Sequence, residues 1–81
     1  MRRDMRSTRA DVRNPILALP AAAKLRELPE PARAALVALL GEIRLDAAAR
    51  AQLCWRTHKA PMAAYWKAVS VYANHIGRAA R

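Results

Sequence analysis

The 81-residue chain is predicted to be all-α, a long antiparallel helical hairpin with a short N-terminal helix and a basic flexible arm. Three observations carry this. Apolar residues recur at steps of three and four, the five prolines fall where helices would begin or end, and no apolar–polar alternation marks a strand. Alanine fills twenty positions and phenylalanine none, so the helices are expected to pack closely around a thin core. One domain, residues 14–81, is expected behind an arm formed by residues 1–13.

The arm has little apolar content and carries Arg2, Arg3, Arg6, Arg9 and Arg13. Asn14-Pro15 then reads as an N-cap followed by a first-turn proline, and Leu19-Pro20 restarts a short helix over Ala21 to Leu28, with Leu25 and Leu28 buried. Pro29-Glu30-Pro31 closes it, since Pro31 suits only the first turn of a new helix. From Ala32 the positions Leu36, Leu40, Ile43, Ala47, Ala51, Cys54 and His58 share one stripe, which predicts a single long helix ending near His58. Gly41 and Asp46 offer a place where it would break instead. Lys59-Ala60-Pro61 turns the chain into a last helix towards Arg78, whose expected buried stripe is Met62, Tyr65, Trp66, Val69, Tyr72, Ala73, Ile76 and Ala80. So short a connection makes the two long helices antiparallel neighbours.

Charge is segregated along the chain. Residues 1–13 hold five arginines against two aspartates, residues 14–46 four basic against four acidic groups, and residues 47–81 six basic groups and no acid, giving a net +9. A one-signed surface of this kind attracts polyanions, because Lys and Arg displace the counterions condensed on phosphates. Nucleic acid is therefore the expected partner. On the last helix Lys67, Ser70, Asn74, Arg78 and Arg81 align as a polar-basic strip that would follow a phosphate backbone, or else form an ordinary solvated face. On the long helix Arg44, Arg50, Gln52, Arg56 and Lys59 accompany Trp55, which at the margin of its stripe would either stack a base or seal the core. Trp66, central to its own stripe, is assigned to the core.

The same residues admit three alternatives. A break at 41–46 would leave a helix-turn-helix presenting Arg50, Gln52 and Arg56 to a groove, although Glu42 and Asp46 in its turn would repel phosphate. Cys54 and His58, four apart, with His75 as a third ligand, lack the further Cys or carboxylate that zinc sites usually need, so no metal or other cofactor is expected. No sequence context supports a nucleophilic triad, and residues 47–81 offer no carboxylate pair, so an enzyme is not expected. The single cysteine excludes an intrachain disulfide, and the N-terminus has neither a secretory signal's apolar core nor a run long enough to span a bilayer. A cytoplasmic location away from the membrane follows as the expectation. With apolar stripes on both long helices of so small a chain, a homodimer is expected.

The stretch from Cys54-Trp-Arg-Thr-His-Lys-Ala-Pro through Tyr65-Trp66 to Tyr72-Ala-Asn-His-Ile76 resembles short Ala/Arg-rich helical proteins of prophage and other mobile regions in GC-rich bacteria. That group has no assigned activity or functional residues. The resemblance implies a phage-type accessory role: nucleic-acid binding, regulation, or inhibition of a host nucleoprotein complex in the manner of an anti-CRISPR protein.

Overall fold

A computed structural model describes residues 13–81. The predicted arm residues Arg2, Arg3, Arg6 and Arg9 lie outside the described residues, while Arg13, expected to close the arm, is helical. A 3-10 turn at Pro15–Ala18 leads into α1 (Pro20–Leu25), α2 (Glu30–Arg56) and α3 (Ala60–Ala80), with no strand among the described residues. The two long helices pack against each other as the predicted hairpin, and α1 and the 3-10 turn lean on α3.

Each boundary has a local cause. Asn14 caps the 3-10 turn, its side-chain oxygen accepting from the Ile16 amide at 3.2 Å, and its Nδ2 donates to the His75 carbonyl at 2.8 Å. The entry segment is thereby tied to α3. α1 stops at Leu25, earlier than the predicted Leu28, because residues 26–28 tighten into i→i−3 bonds ahead of Pro29, which disfavours helical backbone in the residue before it. Leu25 is half-buried and Leu28 is exposed. α2 begins with Pro31 in its first turn and runs through Gly41 and Asp46 without interruption, so the turn required by a helix-turn-helix is not formed. The helix ends at Arg56, short of His58, because His58 takes φ of 62° and starts a Schellman motif: its amide donates to the Trp55 carbonyl, and the Lys59 amide to that of Cys54 at 2.8 Å.

The seam between α2 and α3 is made of small residues. The buried apolar residues are Ala22, Ala47, Ala63, Ala73, Ala79 and Ala80, and Gly77 is buried among them. Among the described residues no large side chain is fully buried. This corrects the predicted stripe on α3: Met62, Tyr65 and Tyr72 are exposed, Trp66, Val69 and Ile76 are half-buried, and Ala63, Ser70 and Gly77 take the inward positions. The physical reason is that two helices touch along a narrow line. The line that admits closest approach is the one with the smallest side chains, so larger groups splay to either flank. On α2 the predicted stripe holds better, with Leu36, Leu40, Ala47, Ala51 and Cys54 turned in, but Ile43 is at the exposed margin and His58 lies outside the helix. The thinnest principal-axis extent is 16 Å. Two long helices side by side leave broad flanks open to solvent, where large apolar side chains are exposed.

Candidate nucleic-acid interface

One broad face brings together three of the predicted basic positions, Arg44, Lys67 and Arg78. Ala51, Gln52 and Trp55 of α2 and Ala63, Ala64 and Lys67 of α3 line a single cleft of about 340 Å3 near the turn. From Trp55 the same flank of α2 runs back through Gln52 and Ala48 to Arg44, and from Lys67 the facing flank of α3 runs on through Asn74 to Arg78, in steps of three, four or seven. The Ser70 hydroxyl joins the flanks by donating to the Arg44 carbonyl at 3.0 Å. Ser70, predicted as part of the outer strip, is thus half-buried in the seam, and Asn74 is half-buried beside it. Lys67 and Arg78 remain exposed, separated by about 16 Å at 1.5 Å per residue, which spans roughly five nucleotide rises of one strand.

No carboxylate lines the cleft. Among the described residues two ion pairs form, Arg33–Glu30 at 2.7 Å and Arg50–Asp46 at 3.4 Å, both within α2 and both open to solvent, where such pairs contribute little. Arg44, Arg56, Lys59, Lys67 and Arg78 have no acidic partner among the described residues. Positive charge that is not neutralised internally is available to an external anion.

Two predicted site residues stand apart from the cluster. Arg50 belongs to the opposite face, where it pairs with Asp46 and lies 5.3 Å from the centre of the Trp66 ring. Arg81 lies at the far end of the hairpin, beside Glu30 and Arg33, and its main-chain oxygen accepts from Arg26 at 2.6 Å. Arg56 and Lys59 are exposed at the turn and do not line the cleft. Trp55 is 66% exposed, so it neither seals a core nor sits at its margin as a half-buried residue would. Trp66 is half-buried under Arg50 and meets the Tyr65 ring edge-on at 5.0 Å.

Sequence reasoning missed the floor of the cleft. Ala51 reads only as a member of the buried stripe and Ala63 and Ala64 carry no signal in an alanine-rich chain, yet their place on either side of a short turn is what opens a gap next to Trp55. No three His, Cys, Asp or Glu side chains converge among the described residues, and no described helix is long and apolar enough to cross a membrane. Comparisons of the chain with protein-family models, with curated proteins and with solved structures find no match, so the fold and this face are the grounds for a functional reading.

Proposed function

We propose that the protein binds nucleic acid through phosphate contacts with little sequence selectivity, as a small basic accessory protein of phage type. The observation that carries this reading is the alignment of Arg44, Lys67 and Arg78, all without carboxylate partners, on the face that also bears the exposed Trp55. Side chains that end in solvent on rigid helices contact phosphate oxygens in any sequence, and no groove-reading turn is present to select bases. Asn74 adds a hydrogen-bonding amide between the cations.

Fluorescence anisotropy with a labelled oligonucleotide across a salt series tests it. Three phosphate contacts give a log K that falls with log salt by about 2 to 3. Charge reversal at Lys67 and Arg78 weakens binding to unrelated sequences alike and flattens that slope. Binding that ignores salt, or no binding at low salt, refutes the reading. The second reading is a protein-binding inhibitor of a host nucleoprotein complex, favoured by the large apolar side chains left in solvent, among them Leu39, Tyr65 and Tyr72. A stoichiometric protein partner that survives nuclease treatment of a lysate would favour it.

A further inference from the structure

We infer that the cleft at the turn is a receptor for one unpaired base of a single strand, with the indole of Trp55 as its stacking wall; the inference rests on the nucleic-acid reading above. Three features of a nucleotide find three different groups there. The planar base meets Trp55, which is 66% exposed and has no ring or cation partner among the described residues. Its hydrogen-bonding edge meets the amide of Gln52, which offers both a donor and an acceptor and makes no hydrogen bond within the chain among the described residues. Its phosphate meets the Lys67 ammonium, which forms no ion pair among the described residues.

The remaining wall is Ala51, Ala63 and Ala64, whose methyl groups hold the space open without filling it. At about 340 Å3 the cleft falls at the small end of ligand sites, suited to one ring system and its linkage rather than to a duplex. All six lining residues stand on α2 and α3 within two turns of the connection, so the site exists before the ligand arrives. Trp66 offers no equivalent platform, because Arg50 and Tyr65 already occupy its ring. A base within a duplex would have to leave its stack to enter, at a cost of a few kcal/mol. Phosphate contacts alone rank ligands the other way, since the duplex carries the denser charge.

The order of affinities decides the question. Four probes of matched length or unit are compared by anisotropy or competition: oligothymidylate, the corresponding duplex, an abasic deoxyribose-phosphate oligomer, and thymidine monophosphate. The expected result is oligothymidylate tightest, with the abasic oligomer and the duplex about tenfold weaker or more and the monophosphate weaker still. Trp55→Ala brings oligothymidylate down to the abasic level and leaves abasic binding unchanged, while Trp55→Phe retains much of the preference; circular dichroism confirms the fold of each. Equal affinity for the abasic and base-bearing strands, or a Trp55→Ala variant that loses nothing, overturns the base cleft and leaves the phosphate reading standing. Equal affinity for the monophosphate and the strand overturns a strand as the ligand. Failure of every probe at low salt overturns both readings together.

Discussion

Gly77→Ala should stabilise the protein, although Gly77 is buried where the two long helices meet. A Cβ built on Gly77 would lie 3.6 Å from the Cβ of Leu40, an ordinary van der Waals contact. Two favourable effects follow. Replacing glycine within a helix recovers up to about 1 kcal/mol, nearer half of that here because Gly77 is one turn from the end of α3. Placing a methyl against Leu40 adds about 0.8 kcal/mol of apolar burial. The sum of about 1.3 kcal/mol raises Tm by roughly 5–10 °C in a domain of this size. Gly41→Ala, with nothing within 4 Å of its Cβ, should gain about 1 kcal/mol from helix propensity alone. Leucine then separates the positions, because at 77 it must push α2 away, costing about 1–3 kcal/mol, whereas at 41 it extends into open space. Thermal unfolding followed by circular dichroism reads all four variants. A lower Tm for Gly77→Ala beside a higher one for Gly41→Ala would show that the helices approach too closely for a methyl group, and would refute the reasoning.

His58→Gly should raise stability by about 1 kcal/mol in the same assay, because a left-handed φ of 62° burdens histidine and not glycine; an unchanged or lower Tm would show that the imidazole contributes a contact of its own. Asn14→Ala should cost about 1–2 kcal/mol, since Asn14 is 8% exposed and its loss removes both the cap on Ile16 and the bond that ties the entry segment to the His75 carbonyl of α3; hydrogen exchange should show early opening of residues 14–25, and an unaltered exchange pattern would contradict the anchor. Self-association through the apolar face should give light-scattering masses near twice the 9.0 kDa chain at micromolar concentration, and Leu39→Glu with Tyr65→Glu should return the mass to one chain; a monomeric parent protein refutes this.

The architecture was legible in the chain because its signals are local. Pro31 and Pro61 mark helix starts, Asn14 marks a cap, and the spacing from Leu36 to Cys54 runs through Gly41 without a phase change, so continuity of α2 could be expected over a break. The rotation of α3 could not. Hydrophobicity ranks Met62, Tyr65 and Tyr72 above Ala63 and Gly77, whereas helix contact ranks by size, and which criterion decides depends on the partner helix. The basic positions divide in the same way. Lys67 and Arg78 were readable from helical spacing, but the diversion of Arg50 to Asp46 and Trp66, and of Ser70 to the Arg44 carbonyl, depends on contacts that spacing along one helix does not encode. Trp55 was ambiguous for a related reason, since a residue at a stripe's margin is covered only if its neighbour supplies a large side chain, and α3 supplies Ala63 and Ala64.

The alanine seam also determines which inherited changes the protein tolerates. In most domains the damaging substitution removes volume from a buried leucine or phenylalanine, and here no such side chain is fully enclosed. Danger lies in enlargement and in misplaced polarity. Any single-base change in an alanine codon that alters the residue yields valine, threonine, serine, proline, glycine, aspartate or glutamate. At Ala47 or Ala73 these bring a branched side chain, an unpaired hydroxyl, a broken helix or a buried charge, apart from glycine, which forfeits helix propensity. Selection against mutation should therefore fall most heavily on the least conspicuous residues, while leucines and tyrosines on the outer faces stay free to vary wherever no partner holds them.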